Sequence, residues 1–250
     1  MPQFAANLSY LWAELPYLDR FDAAAEAGFG AVEVLQPYDV PAPETQAALR
    51  RNGLRFVLLN APGPNYTGGA RGFAALPGGE ARFDYDMRRA TRYAQALGAG
   101  LVHVQCGDAS GPEARATLMA NLRRACEGLP DGLTVTLEPI NPQDRPGGYL
   151  NSYDQAAEII AAVNAPNLGL QYDSYHAQMI TGDALGCFAA HADMIRHIQI
   201  GDSPDRAVPG TGEIDFAALF AAIDASGYTG WVGAEYHAGD RTEASLGWWL

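Results

Sequence analysis

Short apolar runs alternate with amphipathic, alanine-rich runs from one end of this chain to the other. The apolar runs fall near residues 4–8, 31–35, 55–59, 101–105, 133–137, 168–172, 195–200 and 231–234 and read as strands. Helical patterns lie between them, near 18–27, 44–51, 84–97, 113–127, 153–163, 182–191 and 215–225, with a short last stretch at 242–249. Gly28, Gly53, Gly98, Pro166 and Gly227 follow helical runs, where helix stops belong. Strand–helix alternation of this number and length predicts a parallel (β/α)8 barrel, the TIM-barrel architecture. An open doubly wound sheet is the alternative, but no glycine-rich fingerprint follows the first strand, which argues against a dinucleotide-binding version. No linker or low-complexity tract divides residues 1–250, so they read as one domain.

Within that pattern, strands end in oxygen-bearing side chains. Leu133–Leu137 closes on Glu138, Gly169–Tyr172 on Asp173, His197–Ile198 leads into Gln199, and Trp231–Ala234 closes on Glu235. A carboxylate at the end of an apolar strand is costly unless it is paired or holds a metal. One such residue is an ordinary cap or surface charge; four at equivalent strand ends point to a site. In a barrel the carboxyl ends of the strands form the active-site face, and Asn7, Glu33, Asn60 and His103 belong to the same set. Two Glu, one Asp and one Gln make an all-oxygen donor set, which selects Mg²⁺ or Mn²⁺ over zinc. Glu138, Asp173, Gln199 and Glu235 are therefore the expected metal ligands.

Composition removes several classes of function. All 16 cationic residues are arginines and lysine is absent, which excludes Schiff-base and P-loop lysine chemistry. The net charge of −13 disfavours nucleic acid and anionic lipid as partners. Cys106, Cys126 and Cys187 are odd in number and widely spaced, neither a disulfide framework nor a zinc pattern. Reduced thiols, an amino terminus without signal-peptide character and no membrane-length apolar stretch predict a cytoplasmic protein. A homo-oligomer is compatible with all of this.

Several residues outside the strands bear on a substrate. Residues 60–82 form the longest loop, rich in glycine and carrying Tyr66, Arg71 and Phe73, and read as a lid or binding loop. His176 is expected on the loop after the sixth strand, near the mouth. His197 lies two residues before Gln199, so it shares that residue's face and reads as a supporting or core histidine rather than a ligand. Arg206, in the loop running to Glu213, suits a substrate carboxylate or hydroxyl; its plain alternative is a salt bridge to Asp202 or Asp205. Asn60, Arg71, His176 and Arg206 are the expected substrate-binding residues.

The segments Leu137-Glu138-Pro139-Ile140-Asn141, Leu170 to His176, His197 to Asp202 with Arg206 and Pro209 to Glu213, and Gly230 to Tyr236 together resemble the hydroxypyruvate isomerase family. That family belongs to the xylose isomerase-like barrels. Asn60-Ala61-Pro62 with Gly69 to Gly78 is similar to its lid loop, and the likeness runs on through Thr242-Glu243 and Trp248. Related sugar 3-epimerases typically carry histidine where Gln199 stands, so glutamine favours the isomerase branch. The chain departs from the family pattern at His237, where lysine is expected, and at Gly79, where arginine is expected. The resemblance implies interconversion of hydroxypyruvate and tartronate semialdehyde through an enediolate, with Glu138 and Glu235 as proton donor and acceptor. A hydride shift is the rival route; it is associated with two metals and a lysine. Arg71 or Arg206 would meet the substrate carboxylate.

Three other readings stay open. The chain could be a 2-oxo-tetronate isomerase or a ketose 3-epimerase of the same superfamily. It could be a DNA-repair endonuclease on the same barrel, against which the acidic charge counts. It could also be a non-catalytic sugar- or acid-binding barrel.

Overall fold

The computed structural model describes residues 1–63 and 71–249. Tyr66, expected in the lid, lies outside them. Among the described residues, nine strands form one sheet in which every pairing is parallel: β1 (Gln3–Asn7), β2 (Ala31–Glu33), β3 (Arg55–Phe56), β4 (Leu58–Asn60), β5 (Leu101–His103), β6 (Thr134–Leu137), β7 (Leu168–Asp173), β8 (Ile195–Ile200) and β9 (Trp231–Ala234). The order is β3-β2-β1-β9-β8-β7-β6-β5-β4. The two ends, β3 and β4, are separated only by Val57. Val57 N–H donates to Val32 O (2.8 Å), and its carbonyl accepts from Leu101 N–H (3.2 Å), so the ladder closes through it. Counting β3, Val57 and β4 as one stave gives the eight-stave barrel expected from the sequence.

The helices are α1 (Asp19–Glu26), α2 (Ala42–Asn52), α3 (Glu80–Leu97), α4 (Gly111–Glu127), α5 (Tyr153–Val163), α6 (Ser174–Thr181), α7 (Ala184–His191) and α8 (Phe216–Ala225). Their ends follow local chemistry. Ser152 caps α5 by accepting from Gln155 N–H, and Asp215 caps α8 by accepting from Ala218 N–H. Gly53 and Gly98 close α2 and α3 with φ of 64° and 73°, where glycine is unstrained. One expectation is corrected: His176 is not on a loop. Asp173 accepts from the N–H groups of Tyr175 and His176 and so starts α6, which places His176 in its first turn. The terminal stretch is a 3-10 helix, Thr242–Trp248. Its Thr242 and Glu243 accept from Trp12 N–H and Nε1–H and clamp the loop after β1.

Side chains on a strand alternate between its two faces, and this places an apolar floor under a polar mouth. Ala5, Ala31, Leu58, Leu101 and Trp231 belong to one small cluster. They precede Asn7, Glu33, Asn60 and His103 by two residues, and Glu235 by four, so each shares a face with its polar partner. Gly233 stands between Trp231 and Glu235 on β9, and a Cβ there would overlap the Glu33 carboxyl. Gly233→Ala should therefore force Glu33 to move and destabilise the fold by about 1–3 kcal/mol. Thermal unfolding checks this; an unchanged melting temperature would show that the space is not shared.

Candidate active site

The four expected ligand residues come from adjacent staves, but only Glu138 and Glu235 line the cavity, while Asp173 and Gln199 are buried behind its wall. Glu138 follows β6, Asp173 ends β7, Gln199 lies on β8 and Glu235 follows β9. All four are buried, as are Asn7 and Glu33. The cavity beside them measures about 570 Å³, and Glu138, His176, Arg206 and Glu235 line it with Asn60 and Arg71. Thus every residue expected to bind substrate lies on its wall.

The floor is a continuous hydrogen-bond network. Asn7 Nδ2 donates to Glu33 (2.9 Å) and Glu235 (2.6 Å). Gln199 Nε2 donates to the same two carboxylates at 2.7 and 2.5 Å. Its Oε1 accepts from Gln171 Nε2 at 2.6 Å, and that nitrogen also lies 3.1 Å from Glu138. Thr136 holds the Gln171 carbonyl at 2.8 Å. Gln171 was not singled out in the sequence, yet the signal was present: it precedes Asp173 by two on the same strand and must share its face. Gln199 offers its nitrogen, not its oxygen, to the carboxylates. Turned end for end, its oxygen would face Glu33 and Glu235, an arrangement favourable only with a cation between them.

Arg206 occupies the centre of the acidic side chains. Its Nη1 is 2.5 Å from Asp173 Oδ2 and 3.1 Å from Glu235 Oε1, so the salt bridges to Asp202 or Asp205 considered from sequence do not form. Asp202 instead builds the loop, accepting from the N–H groups of Gly210 (2.9 Å), Gly212 (2.7 Å) and Ile214 (3.0 Å). The Arg206 carbonyl accepts from His237 N–H at 2.8 Å; the His237 side chain, where a lysine was expected, packs its ring against Tyr10 with centroids 5.1 Å apart. The guanidinium also lies over Tyr175 and Tyr10, 4.7 and 5.5 Å from the ring centroids. Where arginine was expected at Gly79, the structure has Arg82 three residues on, in the first turn of α3; it is one of five arginines on the cavity wall, with Arg71, Arg89, Arg145 and Arg206, and it pairs with Asp86 at 2.9 Å.

Burial and crowding set the protonation states. Burial raises Glu138 well above the usual carboxylate range, and the negative charges of Asp173 and Glu235 add to it. Burial lifts Glu235 to about 8 although Arg206 pulls the other way. Burial pulls Arg206 down, but Asp173 and Glu235 outweigh it and keep the guanidinium charged. Burial, then Arg206, lowers His176, so its ring is neutral. Asn141 Nδ2 (2.9 Å) and Arg206 Nη2 (2.7 Å) approach its two ring nitrogens. Both are donors, and a neutral imidazole has one accepting nitrogen, so one contact is unmatched while Arg206 points inward. Burial likewise lowers His103 to about 3.

A pH dependence follows. Glu138 and Glu235 hold protons more tightly folded than unfolded. Their contribution to stability is complete below the unfolded value near 4.5 and is lost as pH rises through the folded value, about 8 for Glu235. The melting temperature of the protein kept in chelator should fall across that window. A melting temperature that rises there would contradict the assigned protonation states.

A metal fits this donor set. Glu138, Asp173 and His176 offer ligand atoms within 4.8 Å of one another. Four buried carboxyl groups, counting Glu33, crowd one guanidinium; Glu138 and Glu235 keep their protons there, and a hard divalent cation would take the place of those protons.

A parallel barrel that gathers buried carboxylates at the carboxyl ends of its strands is the frame of an acid–base enzyme. The chain belongs to the xylose isomerase-like TIM barrel family, whose profile matches residues 21–250. It is 44% identical over 253 residues to a 2-oxo-tetronate isomerase of Cupriavidus necator, covering 99% of this chain and 97% of that one. It is 41% identical to a hydroxypyruvate isomerase of Escherichia coli, covering 99% and 98%. A crystal structure described as an AP endonuclease, family 2, from Brucella melitensis superposes with a TM-score of 0.96 at 39% identity, covering 99% and 98% of the two chains. The chain is thus an enzyme of a family whose similar members include isomerases. Among the described residues, no helix is long and apolar enough to cross a membrane.

Proposed function

We propose that the protein is a divalent-metal-dependent isomerase of short 2-oxo acids, acting on hydroxypyruvate. The observation that carries the reading is the convergence of Glu138 and Glu235 on one cavity, with their proton affinities raised by burial and by the carboxylates around them, Asp173 and Glu33 among them. Crowded carboxylates that cannot all ionise supply an acid and a base together. One takes a proton from the hydroxyl-bearing carbon; the other delivers a proton to the neighbouring carbonyl carbon, and the hydroxyl proton passes between the two oxygens. When bound, Mg²⁺ or Mn²⁺ would supply stabilisation of the negative charge that develops on those oxygens. Glu138, Asp173 and Glu235 would hold it, with His176 an additional nitrogen donor; Gln199, whose Oε1 accepts from Gln171, would join them only with its amide turned. We assign the substrate carboxylate to Arg206, whose Nε makes no hydrogen bond among the described residues, with Arg71 at the rim as the alternative.

A four-carbon 2-oxo-tetronate is the second reading. A cavity of about 570 Å³ has ample room for one more hydroxymethyl group, and the Cupriavidus necator relative bears that name. The free thiols Cys106, Cys126 and Cys187 fit a reducing cytoplasm, and the charge of −13 speaks against nucleic acid. Turnover with Mg²⁺ or Mn²⁺ should be measured on hydroxypyruvate, 2-oxo-tetronate, free ketoses and abasic DNA. We expect turnover of the 2-oxo acids alone. Turnover restricted to free ketoses, or incision of DNA, would overturn the proposal.

A further inference from the structure

Beneath the cavity, Glu33 and His197 form a buried hydrogen-bonded pair that the proton transfer above does not use. His197 Nε2 lies 2.6 Å from Glu33 Oε2, and both residues are fully buried. The other oxygen, Glu33 Oε1, accepts from Asn7 Nδ2 at 2.9 Å and from Gln199 Nε2 at 2.7 Å. Each of those two amides donates a second time, in both cases to Glu235 Oε2, at 2.6 and 2.5 Å. Glu33 therefore never touches Glu235 but determines where both of its donors sit. An amide nitrogen shared between two carboxylates cannot rotate without leaving one of them unpaired in a site closed to water. His197 in turn saturates the far oxygen, so Glu33 is held at both ends. Gly233, directly below Glu235 on β9, leaves the space that the Glu33 carboxyl fills.

We propose that Glu33 is a positioning residue: clamped by His197, it fixes Asn7 and Gln199, and through them the orientation of the Glu235 carboxylate toward substrate and cation. The proposal rests on the isomerase reading for its kinetic readout. Partners of this indirect kind typically contribute 10–100-fold to activity or metal affinity. In Glu33→Gln, the new amide directs a donor at His197 or at the two amide donors, so one side of the clamp opens.

The test compares wild type with Glu33→Gln, His197→Leu and His197→Gln, reading kcat and KM on 2-oxo acids and, separately, Mn²⁺ affinity by titration without substrate. Glu33→Gln should lose about 10–100-fold in kcat with KM changed less than about threefold, and bind Mn²⁺ about tenfold more weakly. His197→Leu, which strips Glu33 of its far donor, should show the same signature. His197→Gln, which keeps a donor, should recover most of the loss. If Glu33→Gln does not fold, the two His197 variants carry the test. A purely structural role predicts a lower melting temperature with kcat and Mn²⁺ affinity unchanged within twofold, and that result overturns the proposal. Should wild type turn over none of the 2-oxo acids, the isomerase reading falls, while Mn²⁺ affinity across the variants still decides the role of Glu33.

Discussion

Glu138→Gln and Glu235→Gln should each reduce turnover by about 10²–10⁴-fold while the barrel stays folded. Both side chains are buried beside the cavity with raised proton affinities, so replacing either by its amide removes a proton-transfer group at nearly constant shape. Glu235→Gln also lets Arg206 and Asp173 pair without a third partner, so its melting temperature in chelator should rise or hold. The two effects diverge because catalysis needs the crowding that stability opposes. Steady-state kinetics on hydroxypyruvate and 2-oxo-tetronate, run beside thermal melts, measure both. Retention of wild-type turnover in either variant would remove it from the proton-transfer pair and favour a binding role for the barrel.

Arg206→Leu should be the most damaging single change to stability, costing about 3–5 kcal/mol, because breaking a buried pair strands the remaining charge. Here two carboxylates lose one cation: Nη1 lies within 2.5 Å of Asp173 and 3.1 Å of Glu235. The loss should shrink as pH falls below about 8, where Glu235 takes up its proton, and on addition of Mn²⁺, which replaces the missing positive charge. Denaturant unfolding with and without Mn²⁺ checks this. Equal destabilisation in both conditions would mean that guanidinium and cation do not address the same carboxylates.

The strand ends were legible because alternation along a strand and parallel closure together decide which residues share the mouth. Asn7, Glu33, Glu138, Asp173, Gln199 and Glu235 need only a correct strand assignment to be brought together. Gln171 obeys the same rule and was passed over because it is not at a strand end. The rest depended on information that periodicity does not hold. Asp173 doubles as a helix cap, so α6 begins where the sequence suggested a loop after the strand. Arg206 reaches Asp173 and Glu235 because Asp202 folds its loop through the N–H groups of Gly210, Gly212 and Ile214, a contact set invisible in the spacing. The break at Val57 interrupts a run that reads as one strand; Val57 still bonds to both neighbouring staves, so the barrel closes despite it.

The most direct measurement is isomerisation in D₂O with Mn²⁺, followed by NMR or mass analysis of the product. Transfer between carbons through the Glu138 and Glu235 carboxylates exchanges the migrating proton with solvent to a measurable degree, so deuterium should appear on the product's hydroxyl-bearing carbon, and Glu235→Gln should abolish both turnover and labelling. Full turnover with no deuterium in the product at any conversion, unchanged in Glu235→Gln, would contradict the account and indicate a hydride shift.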